Sequence, residues 1–323
     1  PPGRNRIRMG PGGRMAALND SGAVQIWDTR SGRITASWNE MPPVAAVCFN
    51  HDGSRLLAAA GDGTVRCREV TAGTECFSVK YPGVVCCLEF SPDGKRFLTA
   101  GDNGAAQVWN AADGSAASPK MIHQGPVNVA GFSPDGQSLI TGSEDCLVQM
   151  WDARSGARAG GALQLDSPAV SAAINAGGTR ILTVRREKLK ESVLIPGAAQ
   201  LWDAKSRRPV GPEWTLLSVG LFPAAFRPDG QRFLLLQDAT TVAVCDAVSG
   251  RRSAPALEHI ELAGGAGRAG FAFSPDGRLV LTLAGPVVRV WDAETGDAVS
   301  PPLTHEDEVA TAEWSADGLE LIT

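Results

Sequence analysis

Residues 127–156 read VNVAGFSPDGQSLITGSEDCLVQMWDARSG, and the rest of the chain is a series of variations on this stretch. It contains three short runs of apolar residues separated by two groups of turn residues. Apolar runs of this length between turn residues predict β-strands joined as hairpins. We therefore expect a unit of three consecutive strands that recurs along the chain.

The glycine that closes the first turn of each unit gives the period of the repeat. Its successive spacings are 40, 41, 42, 42, 52, 47 and 41 residues. A period of about 40–45 residues with strand–turn–strand units is typical of a propeller array. The turn glycines are Gly13, Gly53, Gly94, Gly136, Gly178, Gly230, Gly277 and Gly318.

The turns and strands are chemically consistent with this prediction. In Ser133-Pro134-Asp135-Gly136 the proline presets φ, the aspartate bonds to nearby backbone and the glycine takes the left-handed position. The third strand of each unit lacks clean alternation, which indicates burial on both faces, as in stacked sheets. The first strand carries small residues, which suit the narrow centre of a propeller. Third strands are expected at 23–28, 64–69, 105–110, 147–152, 198–203, 241–246 and 287–292.

Five of these third strands end in a tryptophan followed by aspartate or asparagine. With this motif in register with the turn glycines, nearly the whole chain resembles the WD-repeat (β-transducin-type) β-propeller family, in a form similar to bacterial arrays. The resemblance implies an all-β propeller with seven full four-stranded blades plus a partial eighth, in a seven- or eight-bladed ring. The motif is carried by Trp27-Asp28, Trp109-Asn110, Trp151-Asp152, Trp202-Asp203 and Trp291-Asp292.

The family's buried hydrogen-bond network is complete in one unit only. His123, Asp145 and Trp151 form the full set in the fourth unit. Arg68-Glu69 and Cys245-Asp246 replace the Trp-Asp pair in two others. The resemblance therefore implies that the remaining blades rely more on apolar packing.

The unbroken period favours one propeller domain over residues 1–323, although length alone is compatible with two domains. The eighth unit stops after two strands, which would leave unpaired strand edges. We therefore expect this chain to be a fragment of a longer polypeptide. The units are approximately 1–28, 29–69, 70–110, 111–152, 153–203, 204–246, 247–292 and the partial 293–323.

Composition narrows the classes of partner. The net charge of −5 gives no general reason to expect nucleic-acid binding, which needs a basic face. No apolar run is long enough to span a membrane. The seven cysteines lack the paired spacing of a zinc site, so neither a metal nor another cofactor is expected. We expect them to be small buried thiols of a cytoplasmic, reducing compartment.

One unit carries an insertion that is the best candidate for a partner site. From turn glycine to tryptophan takes 15 residues in the third and fourth units but 24 in the fifth, between Gly178 and Trp202. Repeat proteins often place insertions on the binding face. A second surplus of 5 residues lies within 256–268. The resemblance implies that both insertions lie on the same face of the ring and close together. The first insertion mixes charge with apolar groups, so we expect a protein or peptide partner to contact Arg186, Lys188, Leu189, Lys190, Leu194 and Ile195. The alternative is a solvated loop without a function.

Nothing in the sequence predicts catalysis. The spacing GAGRAG at 265–270 fits a dinucleotide fingerprint, but a strand and turn follow it where a helix is required. The leading interpretation is a non-catalytic protein-interaction scaffold. One alternative is a sensor or docking arm of a larger signalling enzyme, such as a bacterial serine/threonine kinase. Another is a propeller enzyme whose channel mouth binds a divalent metal through Asp145 or Asp307.

Overall fold

The computed structural model describes residues 7–18, 22–40, 44–190, 193–216, 225–236, 241–258, 269–309, 311–315 and 317–323. Within these ranges the strands form seven four-stranded antiparallel sheets and two two-stranded sheets, and there is no helix. In each four-stranded sheet the strands are neighbours in chain order, apart from one insertion. The chain divides into two compact units, described separately below.

The first compact unit comprises Pro1–Asp145, Gln149–Ala159 and Glu313–Ile322. It holds the first three sheets, most of the fourth and the final two-stranded sheet. The strands of these sheets, with the short β16 that completes the fourth, are β1 (Ile7–Gly10), β2 (Arg14–Leu18), β3 (Ala23–Asp28), β4 (Arg33–Asn39), β5 (Val44–Phe49), β6 (Arg55–Ala60), β7 (Thr64–Glu69), β8 (Glu75–Lys80), β9 (Val85–Phe90), β10 (Arg96–Gly101), β11 (Ala105–Asn110), β12 (Met121–Ile122), β13 (Val127–Phe132), β14 (Ser138–Ser143), β15 (Leu147–Asp152), β16 (Leu163–Gln164), β31 (Glu313–Trp314) and β32 (Leu321–Ile322).

The second compact unit comprises Cys146–Val148, Gly160–Ala312 and Thr323. It holds the fifth, sixth and seventh sheets and a separate two-stranded sheet. Their strands are β17 (Ala169–Ile174), β18 (Arg180–Arg185), β19 (Lys188–Lys190), β20 (Val193–Ile195), β21 (Gly197–Asp203), β22 (Pro209–Leu216), β23 (Ala225–Phe226), β24 (Arg232–Leu236), β25 (Thr241–Asp246), β26 (Leu257–Glu258), β27 (Ala269–Phe273), β28 (Leu279–Ala284), β29 (Val287–Asp292) and β30 (Leu303–Thr304).

The strand predictions are confirmed for the third strand of each sheet. All seven third strands have the predicted bounds except β21, which begins one residue earlier. The partial eighth unit forms the pair β31 and β32, as expected. The outer strand of the seventh sheet, β30, is short, and before it the bridge between Trp291 and Ala298 pairs the two segments.

Apolar clusters join successive sheets within each unit. One cluster packs Leu57 and Val65 of the second sheet against Phe90 and Phe97 of the third. Similar clusters join the first to the second, the third to the fourth, the fifth to the sixth and the sixth to the seventh. The expectation that the cysteines are buried is confirmed for Cys67 and Cys245. It is wrong for Cys76, which is exposed on the outer strand β8, and the remaining four, Cys48, Cys86, Cys87 and Cys146, are only half-buried.

The two-stranded sheet of the last unit lies beside the first sheet. Arg8 Nη1 donates to Glu313 Oε1 at 3.1 Å, and the backbone N–H of Met9 donates to Glu313 Oε2 at 2.9 Å. Thr29 also donates to Glu320 Oε2 at 3.2 Å. These contacts attach the two-stranded sheet of β31 and β32 to the first sheet.

An arginine near the start of the second strand bonds to the next sheet in the chain. Arg96 Nη1 donates to the main-chain oxygen of Ala153 at 3.0 Å, and its Nη2 donates to that of Gly136 at 2.7 Å. Both acceptors lie in turns of the fourth sheet. We call these residues the inter-blade arginines; the other four bonds of the same kind run from Arg14 to Gly53 at 2.8 Å, from Arg55 to Ala111 at 2.6 Å, from Arg180 to Ala247 at 2.9 Å and from Arg232 to Ala293 at 3.1 Å.

We expect Arg96→Lys to lower the stability of the protein by about 1–2 kcal/mol, because one ammonium group cannot reproduce two directed bonds from a planar guanidinium. Thermal unfolding followed by circular dichroism measures the change. Arg33→Lys, at an exposed position at the start of β4, is the matched control. Equal melting temperatures for the two variants would contradict this assignment.

Candidate functional site

The insertion predicted in the fifth unit folds as a β-hairpin. Strands β18 and β21 pair from Arg180 opposite Asp203 to Arg185 opposite Ala198. Between them, β19 and β20 form their own two-stranded sheet, in which Leu189 lies opposite Leu194. The sequence predicted the insertion but not this hairpin. The available signal was the pair of short runs KLK and VLI around Glu191-Ser192.

The hairpin gathers the residues expected to contact a partner. Lys188, Leu189 and Lys190 form β19, whereas Leu194 and Ile195 lie in β20. Arg186 is exposed at the base, where its N–H donates to the carbonyl oxygen of Pro168 at 3.1 Å. The six residues therefore belong to one continuous hairpin segment. The second surplus, within 256–268, lies mostly outside the described residues, so its predicted proximity stays a prediction.

A cavity of about 120 Å³ opens at the base of the hairpin. Arg185 contributes its guanidinium, which bonds Glu213 Oε1 through Nη2 at 3.1 Å and the main-chain oxygen of Pro196 through Nη1 at 3.1 Å. The Arg185 side chain is only 10% exposed. The lining comes from Gln164, Leu165, Asp166, Thr183, Arg185, Ala198, Gln200, Trp202 and Glu213.

The position of Leu165 explains why space exists there. Leu165 lies nine residues before Ile174, as His123 lies nine residues before Phe132 in the preceding unit. In the fourth sheet the His123 imidazole accepts a bond from the threonine hydroxyl of the second strand. In the fifth sheet that threonine, Thr183, accepts from the indole of Trp202 at 2.9 Å and donates to the main-chain oxygen of Gln200 at 3.4 Å. The missing imidazole leaves a cavity with polar walls.

The fourth sheet contains the complete hydrogen-bond chain. Trp151 Nε1 donates to Thr141 Oγ1 at 2.7 Å, and His123 Nε2 lies 2.7 Å from the same hydroxyl. His123 Nδ1 lies 3.0 Å from Asp145 Oδ2. One arrangement of protons satisfies these contacts: the Thr141 hydroxyl donates to His123 Nε2, and the Nδ1–H of His123 donates to the Asp145 carboxylate. Asp145 also accepts from the N–H of Gln124 at 2.9 Å, so its carboxylate is engaged in the fold.

Two neighbouring sheets replace this set with other polar partners. Tyr81 stands at the histidine position of the third sheet, and its hydroxyl donates to Asn103 and to the main-chain oxygen of Ala105. In the second sheet the pair is Glu40 and Arg68, joined at 2.6 Å, with the Glu40 side chain 2% exposed. The expectation that these blades rely on apolar packing is therefore wrong for both.

The other tryptophans of the motif differ in their indole partners. Trp109 and Trp291 donate to Thr99 at 2.9 Å and to Thr282 at 2.7 Å. The buried Nε1 of Trp27 has no hydrogen-bond partner among the described residues. By register Ala17, which pairs with Gln25, stands where Thr99 pairs with Gln107 in the third sheet, and its methyl group cannot accept the bond.

One equivalent position on the first strands of the first compact unit carries mostly charged residues. Arg8, Cys48, Glu89 and Glu313 occupy equivalent positions on β1, β5, β9 and β31. A Cβ at Gly131 would lie 3.1 Å from Glu89 Oε2, so this strand passes close to the carboxyl. Burial raises the pKa of Glu89 to about 7, and the N–H of Phe132 and the charge of Arg8 offset this only in part.

The described residues show no metal site or membrane helix. Within them no group of three or more His, Cys, Asp or Glu side chains could hold a metal ion. No described helix could cross a bilayer. Asp307, which the channel-mouth alternative invokes, is exposed.

The family model "WD domain, G-beta repeat" matches residues 34–68, 75–110 and 120–152. The chain therefore contains WD40 repeats, and the resemblance inferred from the sequence is confirmed. Together with the succession of four-stranded sheets, this identifies the fold as a β-propeller of WD repeats, and we call its sheets blades.

Solved structures agree with this fold. A computationally designed protein, Ika8, aligns with a TM-score of 0.73 and 18% identity, over 97% of this chain and 93% of that one. A chain of a Mitotic Checkpoint Complex aligns with a TM-score of 0.67 and 19% identity, over 87% and 83%. At these identities the similarity shows the fold alone. Among curated proteins, no sequence gives a significant match.

We expect Thr141→Val to cost about 2–4 kcal/mol, because it leaves both the Trp151 N–H and the buried His123 Nε2 without this partner. Thr99→Val is the matched control, since Thr99 is equally buried and accepts from the Trp109 N–H, whereas the Tyr81 hydroxyl of that sheet bonds Asn103 and Ala105 instead. Urea unfolding of the two variants should show the larger loss for Thr141→Val. Equal losses would mean that His123 contributes little to the chain of bonds.

A second prediction concerns pH. The pKa of Glu89 in the folded protein lies above the unfolded value of 4.5. Its contribution to the free energy of unfolding is therefore fully present below about pH 4.5 and is lost as the pH rises through about 7. We expect Glu89→Gln to be more stable than the parent at pH 8 by on the order of 2 kcal/mol. Melting temperatures of both proteins between pH 5 and pH 8 measure this. Parallel curves would contradict the assigned pKa.

Proposed function

We propose that this propeller is a non-catalytic protein-interaction scaffold whose docking face includes the hairpin of β19 and β20 and the cavity beneath it. The proposal rests on the observation that the hairpin and the cavity lie on the same blade. WD-repeat propellers generally bind protein partners, and the match to this family supports that general role here.

The chemistry of this surface favours a protein segment as the ligand. The hairpin sequence supplies two lysines beside leucine, valine and isoleucine, a composition that suits the charged rim and apolar centre of an interface. The cavity adds a fixed guanidinium, at Arg185, next to the carboxylates of Asp166 and Glu213. A cavity of this size fits one side chain of a partner rather than a large cofactor.

The structure gives less support to catalysis. Asp145, which the enzyme alternative requires as a free ligand, accepts bonds from His123 and Gln124. Several other carboxylates accept hydrogen bonds within turns. One is Asp152, whose pKa is lowered by bonds from the hydroxyl and the N–H of Ser155. We also propose a cytoplasmic, reducing compartment, based on the free thiols.

The test is to replace residues 186–196 with a short Gly-Ser turn. The pairing of β18 with β21 does not include the hairpin residues. We therefore expect this replacement to change the melting temperature by no more than about 2 °C. A photoreactive residue at Arg186 should crosslink a defined partner in the source cell, and the same residue at Arg33 should not. Affinity for the purified partner should then fall at least about tenfold in the shortened variant.

A matched control replaces Thr71-Ala72-Gly73, an ordinary turn of the second blade, with Gly-Ser residues. This variant should bind the partner as the parent protein does. Partner affinity that is unchanged by the loss of the hairpin would overturn the proposed docking site.

A further inference from the structure

Two cysteines of the second blade lie opposite one another across a strand pair. Cys67 is on β7 and is buried, whereas Cys76 is on β8 and is exposed. Neither is in a disulfide, like the other five cysteines of the chain. Both residues belong to the first compact unit.

A β-bulge brings Cys76 opposite Cys67. The register pairs Cys67 with Phe77 and then Arg68 with Glu75, so Cys76 is the extra residue of β8. At a bulge two residues of one strand oppose a single residue of the other, and here Cys76 and Phe77 both oppose Cys67. Directly opposed strand residues have Cα atoms about 4.5–5.5 Å apart, within the range that a disulfide spans.

The environment of the two sulfurs shows that they are close. Desolvation, first, and the neighbouring Cys76, with which Cys67 shares a hydrogen bond, together raise the pKa of the Cys67 thiol to about 12. Cys67 is fully buried in the apolar cluster shared with Val65, Val79 and Phe97. The Cys76 sulfur is therefore accessible to solvent, whereas the Cys67 sulfur is buried next to it.

We propose that Cys67 and Cys76 form a reversible disulfide when the protein meets a peroxide. In the first step the Cys76 thiol attacks hydrogen peroxide, which breaks the O–O bond and gives a sulfenic acid and one water. In the second step Cys67 attacks the sulfur of that sulfenic acid; the S–S bond forms and the hydroxyl leaves as water with the thiol proton. The two sulfurs lose two electrons in total, and the peroxide is reduced to two molecules of water.

The two thiols have unequal roles in this reaction. Burial keeps Cys67 in its thiol form, so it reacts slowly with oxidants in solution. It reacts once a sulfenic acid stands beside it, which also protects Cys76 from oxidation beyond that stage. The pairing is particular to this blade: the equivalents of Cys67 in the other described blades are Ile26, Val108, Met150, Leu201, Val244 and Val290.

The tryptic map of this region allows a direct test. Cleavage after Arg66, Arg68 and Lys80 places Cys67 and Cys76 in separate peptides, 67–68 and 69–80. After treatment with hydrogen peroxide and blocking of free thiols, we expect one species in which these peptides are joined, about 2 Da lighter than their sum. Dithiothreitol should restore both thiols.

Variants identify the roles of the two sulfurs. Cys76→Ser should abolish the linked species. Cys67→Ala should also abolish it and should leave Cys76 as sulfinic or sulfonic acid after the same treatment. Cys86→Ser, which removes a half-buried thiol elsewhere, should leave the yield of linked peptides unchanged. If Cys67→Ala proves unstable, Cys67→Val keeps the apolar volume.

Three outcomes would overturn the proposal. The first is over-oxidation of Cys76 in the parent protein without linkage to Cys67. The second is a disulfide between the Cys76 residues of two copies, visible as a dimer on non-reducing gels. The third is linkage of Cys76 to a cysteine other than Cys67.

Discussion

The bond from an arginine to a main-chain oxygen of the following blade is the interaction on which the packing of the blades depends. Apolar clusters supply most of the attraction between blades, but such contacts are not directional. The guanidinium fixes one blade against the next, because its donors must meet particular carbonyls. The same position is Ser138 in the fourth blade and Leu279 in the seventh, and these are the blades at which the division into compact units falls.

The sequence was sufficient for most of the strand pattern. The turn glycines and the Trp-Asp motif predicted the third strands to within one residue, because both features recur in register. The complete set around His123 was also predictable, since each member is a recognisable motif residue. The sets of Glu40 with Arg68 and of Tyr81 with Asn103 were not, because each replaces two residues at once and only the folded geometry brings the pair together.

The candidate site was predictable in place but not in form. The surplus of residues located the insertion between β18 and β21. Strands of three residues are too short for a periodic pattern, so the hairpin of β19 and β20 gave little signal. The cavity exists because Leu165 stands where the fourth blade has an imidazole, and its walls come from four separate segments. The contact of Cys67 with Cys76 depends on a bulge, which shifts the register by a residue that sequence spacing does not show.

The acceptor of each inter-blade arginine is a backbone oxygen, which every residue possesses. Each described polar set also lies within a single repeat, as with Glu40 and Arg68 or His123 and Asp145. A repeat of this chain thus carries most of its polar bonds internally, and its arginine bonds to the next repeat go largely to main-chain oxygens; Arg232, whose Nη2 also donates to Glu294 Oε1 at 2.6 Å, is an exception. Gene duplication can therefore lengthen or reorder such an array without matched substitutions at each new junction, while one repeat accumulates an insertion and another a pair of thiols.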